Sequence, residues 1–217
     1  MSGVLPMNAD LPRRPGRPAR PVTREHLLKV AREAFSQLGY AGASMGDIAG
    51  RAGIRKSSLF HHFATKDDLY REALSSVVVD LGVIVGEALN GEGAYLERLD
   101  RSILATQRYF GAHPVAARLL MREFVDGGAA LTAAGDVVIA VLENTVAILE
   151  TGMSQGVLPK TDARQLAISV LGVQFQFYSI PEVSARLVSA DVFAPEAIER
   201  RALAVVEHLH RLLGVKS

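Results

Sequence analysis

The chain has 217 residues, contains no cysteine, and is 49% hydrophobic, so it can bury a substantial core. The lack of cysteine excludes disulfides and thiolate metal sites and is compatible with a reducing cytoplasm, the expected location. No uninterrupted apolar run approaches the roughly 18 residues of a membrane span, and prolines stand where a signal peptide needs an apolar core. Neither membrane association nor export is therefore expected.

The formal net charge of +1 conceals an asymmetry along the chain. Residues 1–71 hold 12 Lys/Arg and 6 Asp/Glu, a net +6, whereas residues 72–217 hold 12 Lys/Arg and 17 Asp/Glu, a net −5. A basic small part joined to an acidic larger part indicates that only the first faces a polyanion. Ordinary variation of surface charge is the alternative.

Residues 1–22 are predicted to be a flexible basic arm, because five of the nine prolines and four arginines leave them no means of building a core. The run Gly16–Pro18 resembles the centre of an AT-hook, which lays arginine into a narrow A·T minor groove. Pro15 stands where the full hook would have arginine. Arg14 and Arg17 are therefore candidates for minor-groove contact, and a solvated tail with nonspecific phosphate contacts is the alternative.

Thr23 is predicted to cap a first helix that ends near Leu38, where Gly39 closes it. Leu27 and Ala31 are four residues apart, which gives this helix an apolar face. The helix is expected to support the following motif rather than to contact DNA.

The stretch 44–63, SMGDIAGRAGIRKSSLFHHF, predicts two short helices separated by a glycine turn. Ser44 is placed to cap the first helix, with Asp47 as its capping-box partner. Gly53 ends that helix in a conformation expected to be left-handed. A second helix starts near Lys56 and is held out by the first, as in a helix-turn-helix that enters the major groove.

The outer face of this second helix is predicted to be basic and polar. No acidic residue occurs from Arg51 to Lys66. Adjacent helical residues point about 100° apart, so His61 and His62 are not expected to share a metal ion. The residues assigned to the outer face are Lys56, Ser57, Ser58, His61 and His62.

Thr65 is predicted to open a fourth helix, with Asp68 completing a capping box. The helix should run to about Asn90, a span of about 36 Å, from the N-terminal module into the larger part of the chain. Gly82 and Gly86 are expected to allow a neighbouring helix to pack closely.

The pattern beyond residue 90 predicts helices only. The chain is therefore expected to be all-α, with a three-helix N-terminal domain joined by the long fourth helix to a larger helical domain. Thr161 is predicted to cap one of the later helices. The expected helices cover residues 94–110, 116–124, 130–155, 161–180, 181–188 and 195–213, with a loop at 127–128.

Short runs of residues at fixed offsets recur between Thr23 and Leu74. They are Ala34-Phe35, Gly39-Tyr40, Ser44, Ile48-Ala49, Ala52-Gly53-Ile54, Leu59–Phe63 and Thr65–Leu69. Together they resemble the tetracycline-repressor (TetR) family of bacterial transcription regulators, and the rest of the chain fits only by helical layout. The resemblance implies a basic arm at 1–22, a DNA-binding domain at 23–74, and an effector-binding and dimerisation domain at 75–217.

The same resemblance implies which residues contact DNA. Ser44 and Lys66 would clamp backbone phosphates on either side of the recognition helix. The family often has tyrosine at the positions of Phe60 and His61, so contacts through those two hydroxyls are not expected in this chain. The recognition helix and its flanks would contribute Lys56, Ser57, Ser58, Phe60, His61 and His62.

By resemblance, the protein would be a homodimer that binds a palindromic operator in double-stranded DNA and is released by a small-molecule effector, with repression as the expected direction. Helices 161–180 and 195–213 would form the dimer interface. An effector wedged among residues 94–156 would displace the end of the fourth helix. No cofactor or metal is expected, and the effector-binding residues are not identified.

Two other classes of function remain open. One is an architectural DNA-binding protein without effector control. The other is a helical enzyme or ligand carrier, although no GxSxG elbow or glycine-rich phosphate loop occurs, so catalysis is not expected. His113 is interpreted as a turn residue, with a pocket role as the alternative. Polar residues on apolar helices, which would meet either a ligand or a neighbouring helix, are Glu143, Asn144, Gln174, Gln176 and Tyr178.

Overall fold

The computed structural model describes residues 22–126 and 131–215. Every regular element in these ranges is an α-helix, which confirms the all-α prediction. Arg14, Arg17 and the loop predicted at 127–128 lie outside the described residues. The helices are α1 (Arg24–Gly42), α2 (Met45–Arg51), α3 (Lys56–His62), α4 (Lys66–Asn90), α5 (Tyr95–Ala112), α6 (Pro114–Asp126), α7 (Leu131–Ser154), α8 (Ala163–Ser179), α9 (Pro181–Val188) and α10 (Pro195–Leu212).

Helix α1 begins and breaks where the sequence indicated. Thr23 Oγ1 accepts a hydrogen bond from the His26 amide at 3.2 Å, so the predicted cap is confirmed. Gly39 adopts φ 71° and ψ 173°, which interrupts the helix before a last turn that ends at Gly42. Glycine suits this position because other residues rarely adopt a positive φ without strain.

The short helices α2 and α3 meet at a left-handed glycine. Gly53 has φ +69°, as predicted. Ile48 of α2 and Leu59 of α3 are fully buried and belong to the same apolar cluster. The capping box predicted for α2 is wrong in one respect: the Asp47 carboxylate accepts the Ser44 hydroxyl proton at 2.5 Å and not the Ser44 backbone N–H.

Helix α4 is continuous over 25 residues, and its predicted capping box is confirmed. Thr65 Oγ1 accepts from the Asp68 amide, and Asp68 Oδ2 accepts from the Thr65 amide, both at 3.0 Å. The predicted close packing at Gly82 and Gly86 is wrong, because a Cβ atom added at either position would meet no atom within 4 Å. Gly82 is instead exposed and lines a partly open cavity.

One apolar cluster runs from the N-terminal helices into the larger part of the molecule. It includes Leu27 of α1, Leu69 of α4, Phe110 of α5 and Leu119 of α6. Val22, which the sequence placed in the arm, is partly buried against this cluster. The apolar core is therefore continuous between the N-terminal helices and α4, α5 and α6.

The later helices follow the predicted layout, with one different cap. Asp162, and not Thr161, caps α8: its Oδ1 accepts from the amides of Arg164 at 2.9 Å and Gln165 at 3.2 Å. Prolines stand at the first turns of α9 and α10, where the missing N–H costs no helical hydrogen bond.

Helix α7 is unusually apolar. Among the described residues, only its span Asp136–Ser154 is long and apolar enough to cross a membrane, with a mean hydropathy of 1.4. The span contains Glu143 and Glu150, and several of its apolar side chains line the same cavity. Helix α7 packs against α4 and α8, but only 22% of this span is buried, and Ile139 is 52% exposed.

Candidate nucleic-acid interface and interior cavity

The outer face of α3 carries the side chains that the sequence assigned to DNA contact. Lys56, Ser57, His61 and His62 are exposed, Ser58 is half-buried, and Phe60 is 42% exposed. The Lys56 ammonium lies 5.8 Å from the centre of the Phe60 ring, so the two side chains cover each other on this face. All six residues lie on the single helix α3, where Lys56 and Phe60 are in contact.

Arg24 of α1 contacts the C-terminal end of α3. Its guanidinium donates to the His62 carbonyl and to the Glu72 carboxylate, each at 2.7 Å, and lies 4.3 Å from the centre of the buried Phe63 ring. The hydrogen bond to Glu72 raises the pKa of Arg24. One side chain thus joins α1, α3 and α4, a contact that sequence reasoning did not identify.

Ser44 and Lys66, the predicted phosphate clamps, both have partners inside the protein. The Ser44 hydroxyl accepts from the Asp47 amide at 3.1 Å and donates to the Asp47 carboxylate. The Lys66 ammonium lies 4.2 Å from the centre of the Tyr40 ring, and partial burial lowers its pKa. The Tyr40 hydroxyl in turn donates to the carboxylate of Asp67. Contact of either residue with phosphate remains a prediction.

A cavity of about 370 Å³ lies between α4, α5, α6, α7, α8 and α10. Its wall is mostly aliphatic. Val78, Leu81, Gly82 and Val85 bring one face of α4 to the cavity. The same helix begins at Lys66 beside α3, so one continuous helix reaches both the candidate DNA face and the cavity.

The polar side chains singled out from the sequence separate into two groups. Asn144 and Gln174 line the cavity. Glu143 is exposed and pairs with Arg164 at 2.7 Å, Gln176 is exposed, and Tyr178 is buried away from the cavity lining. Sequence reasoning missed three polar residues on α5, of which Ser102 and Thr106 line the cavity and Gln107 bonds to Gln174.

His113 occupies the turn between α5 and α6, in agreement with its interpretation as a turn residue. Its Nδ1 lies 2.9 Å from the Tyr109 carbonyl oxygen, and its ring stacks on the Tyr109 ring with centres 4.4 Å apart. His113 borders a separate cleft between α1 and this turn, which also includes Lys29 and Arg32.

Helix α6 connects the cavity to the first half of α4. Leu120 and Phe124 of α6 line the cavity, and Phe124 stacks on Phe175 of α8 with ring centres 5.4 Å apart. Glu123 lies between Leu120 and Phe124 in the sequence of α6. Its buried carboxylate accepts a hydrogen bond from the hydroxyl of Tyr70 at 2.5 Å. The wall of the cavity and the support of α3 are therefore in direct contact.

Comparison with known proteins supports this organisation at both ends of the chain. The family model described as "Bacterial regulatory proteins, tetR family" matches residues 27–73. A second model, described as "Tetracyclin repressor-like, C-terminal domain", matches residues 96–209, which is more than half of the chain.

Individual relatives agree with the family models. The transcriptional regulator RutR of Escherichia coli is 24% identical over 191 residues, which cover 85% of this chain and 89% of RutR. The match to the transcriptional regulator AcrR of Shigella flexneri is 44% identical over 50 residues and spans 23% of each protein. The structure of the fatty acid degradation regulator FadR from Bacillus halodurans superimposes with a TM-score of 0.72 at 14% identity, over 89% of this chain and all of that one, and so supports the fold. The chain belongs to the tetracycline-repressor family of bacterial DNA-binding transcription regulators.

Proposed function

We propose that this regulator is a cytoplasmic homodimer that represses transcription from a palindromic operator and is released by a small apolar or amphipathic effector. The observation that carries the proposal is the path of α4, which begins at Lys66, four residues after α3 ends, and lines the cavity between Val78 and Val85. In this scheme residues 23–74 bind DNA, and residues 75–217 bind the effector and form the dimer.

The proposed DNA contacts divide into base-reading and backbone contacts. Lys56 can reach a guanine edge or a phosphate, while Ser57 and Ser58 are short enough to let α3 sink into the major groove. His61 and His62 would contact phosphate or sugar, and Phe60 would support Lys56. The Ser44 hydroxyl and the Lys66 ammonium would reach phosphates only by leaving their present partners, so we expect them to contribute less than Lys56.

The proposed dimer interface uses α8 and α10. Ile168 on α8 is 60% exposed and Leu203 on α10 is 62% exposed, although both lie on helices that otherwise pack into the core. Large exposed apolar side chains grouped on neighbouring helices are typical of protein interfaces. A twofold dimer would carry two copies of α3, as a palindromic operator requires.

The proposed release mechanism follows from the cavity wall. A ligand that packs against Val78, Leu81 and Val85 would favour a different position of α4, and the continuous helix would transmit that shift to Lys66 and the adjacent α3. Coupling between ligand and operator of this kind typically amounts to about 1–3 kcal/mol. The cavity volume of about 370 Å³ lies in the range of small-molecule sites. One structural neighbour is named a fatty acid degradation regulator, which fits an aliphatic ligand.

Footprinting with the full chain on DNA flanking its own gene tests the DNA-binding part of the proposal. We expect a short protected site with twofold symmetry and a protein that elutes as a dimer in size-exclusion chromatography. The Ile168→Asp and Leu203→Asp substitutions should yield monomers that no longer protect both half-sites. Protection without sequence preference would instead indicate an architectural protein and contradict the proposal.

A pair of glycine variants on α4 tests the effector part. Gly82→Leu should fill the cavity, because that residue lines it, whereas Gly86→Leu adds the same side chain to the same helix outside the cavity lining. In a reporter strain grown in the presence of an inducing compound, Gly82→Leu should stay repressed and Gly86→Leu should respond. Equal responses of both variants would show that the cavity does not receive the effector.

A further inference from the structure

The described residues that line the cavity include no lysine, arginine, histidine, aspartate or glutamate. Side chains 126–135, near one end of α7, are not described, and the sequence there contains no cationic residue. Lys216, three positions after the lining residue Leu213, also lies outside the described residues. A ligand carboxylate inside this cavity would therefore lack a countercharge from the described wall. The cavity is partly open, with exposed Gly82 and Asn144 in its wall. An ionised group that moves from water past this opening without such a partner loses much of its solvation.

The hydroxyl groups of the wall present acceptors rather than donors. Each one gives its proton to a backbone carbonyl of its own helix: Ser102 Oγ to Leu99 at 2.7 Å, Thr106 Oγ1 to Ser102 at 2.8 Å, and Thr145 Oγ1 to Val141 at 2.9 Å. A hydroxyl has one proton and two lone pairs, so what remains toward the cavity is the oxygen lone pairs.

The amide groups add little donor capacity. Gln107 Nε2 donates to both the backbone carbonyl and Oε1 of Gln174, at 2.7 and 2.8 Å, so this donor is used inside the wall. The Oε1 of Gln107 is buried and has no hydrogen-bond partner among the described residues, which adds a further acceptor behind the lining. The side-chain amides of Asn144 and Gln174 are the donors that the described wall keeps for a ligand.

We propose that the effector is an uncharged, mainly aliphatic molecule with a hydrogen-bond donor, such as an alcohol or a primary amide, and not a carboxylate. This rests on the proposed function of the cavity as the effector site. A donor-bearing ligand satisfies the acceptor-rich wall. A carboxylate carries only hydrogen-bond acceptors, so its negative charge would be repelled by the oxygens of Ser102, Thr106 and Thr145. Only the side-chain amides of Asn144 and Gln174 could donate hydrogen bonds to it.

Three probes of equal chain length test the proposal: 1-decanol, methyl decanoate and decanoate, each titrated into the full chain at pH 7.5 by calorimetry. We expect decanol to bind at least about tenfold more tightly than decanoate, since one well-placed hydrogen bond or one unpaired charge is worth a factor of this size. Methyl decanoate should lie between them, because it is neutral but has no donor. Decanoate binding as tightly as decanol would overturn the proposal.

A lysine introduced into the wall provides the matched control. Asn144→Lys should raise decanoate affinity at least about tenfold and remove the preference for decanol. Ala147 is also exposed on this helix but is not part of the cavity lining, so Ala147→Lys should leave the order of the probes unchanged. If none of the probes binds to a protein that still footprints its operator, the proposed ligand class is wrong but the DNA-binding function stands. If the operator footprint is also missing, the proposed function itself fails.

Discussion

The hydroxyl of Tyr70 and the carboxylate of Glu123 form a buried hydrogen bond of 2.5 Å that joins α4 to α6. Both side chains are 1% exposed. The Tyr70 ring packs edge-on against Phe35 of α1, with ring centres 4.8 Å apart, so this residue belongs to the support of the DNA-binding helices. Glu123 stands between two residues that line the cavity. Through Tyr70, the cavity-lining helix α6 is therefore in contact with both α4 and α1, and we expect a shift of α6 to move both helices.

We expect Tyr70→Phe to lower the free energy of unfolding by about 1–3 kcal/mol, because it leaves a buried carboxylate without the hydroxyl that solvates it. Urea unfolding followed by circular dichroism measures this loss. Tyr95→Phe is the matched control: it removes a hydroxyl that donates to the Ile148 carbonyl at 2.6 Å, within the larger part of the chain. Both variants should lose stability, and Tyr70→Phe should also weaken the effect of decanol on operator affinity. Because its partner Ile148 lines the cavity, Tyr95→Phe is a control for the loss of stability alone. An unchanged urea midpoint for Tyr70→Phe would show that Glu123 finds another partner.

Lys56→Ala should weaken operator binding and reduce its salt dependence. The side chain is exposed, so the unfolding free energy should stay within about 0.5 kcal/mol of the parent value. If Lys56 contacts a phosphate, the slope of log K against log salt should become shallower by about 0.9 for each copy of Lys56, or by about 1.8 for the proposed dimer on its operator. Fluorescence anisotropy at several salt concentrations measures both quantities. Lys160→Ala, an exposed lysine between α7 and α8, is the control and should alter neither. A weaker affinity with an unchanged slope would assign Lys56 to a base edge.

Gly53→Ala should destabilise the protein by about 1–2 kcal/mol, because alanine is strained in the left-handed conformation. A Cβ atom at Gly53 would meet no atom within 4 Å, so the loss would come from the backbone alone. Gly50→Ala is the matched control, because its Cβ also has free space but its backbone is helical. That variant should gain about 0.5–1 kcal/mol. Thermal unfolding measures the change in melting temperature of both variants. Equal changes would mean that the turn relaxes around the alanine at position 53.

The local features of the fold were predictable from the sequence because their partners are close along the chain. The Thr65–Asp68 capping box, the left-handed Gly53 and the break at Gly39 each depend on four residues or fewer. Two local predictions were wrong because a neighbouring group could form the same kind of hydrogen bond. Asp162, and not the adjacent Thr161, caps α8, and the Asp47 carboxylate accepts from the Ser44 hydroxyl and not from the Ser44 amide.

The cavity and its connection to α3 were not predictable in the same way. Tyr70 and Glu123 are 53 residues apart, and Gln107 and Gln174 are 67 residues apart. Helical periodicity shows which side of each helix is apolar, but not which polar residue on that side meets which partner. Gly82 illustrates the limit, since the sequence cannot distinguish a glycine that admits a neighbouring helix from one that borders an empty space.

Tyr178→Phe should leave stability at pH 7 unchanged or increase it by up to about 1 kcal/mol, and should make the protein more resistant to alkali. The Tyr178 hydroxyl is buried without a hydrogen-bond partner among the described residues, so its removal leaves no donor unpaired. Burial raises the pKa of Tyr178 to about 12, whereas tyrosine in an unfolded chain titrates near pH 10.

The sign of the effect follows from where the proton is held. Between about pH 10 and pH 12 the folded protein keeps the phenol proton and the unfolded chain releases it, so the stability contributed by this residue is complete below pH 10 and falls as the pH rises, by up to about 1.4 kcal/mol per pH unit. Urea midpoints at pH 8, 10 and 11 should therefore decline less steeply for Tyr178→Phe than for the parent. Parallel declines, or a loss of more than about 1 kcal/mol at pH 7, would mean that the hydroxyl has a stabilising partner, such as an ordered water molecule.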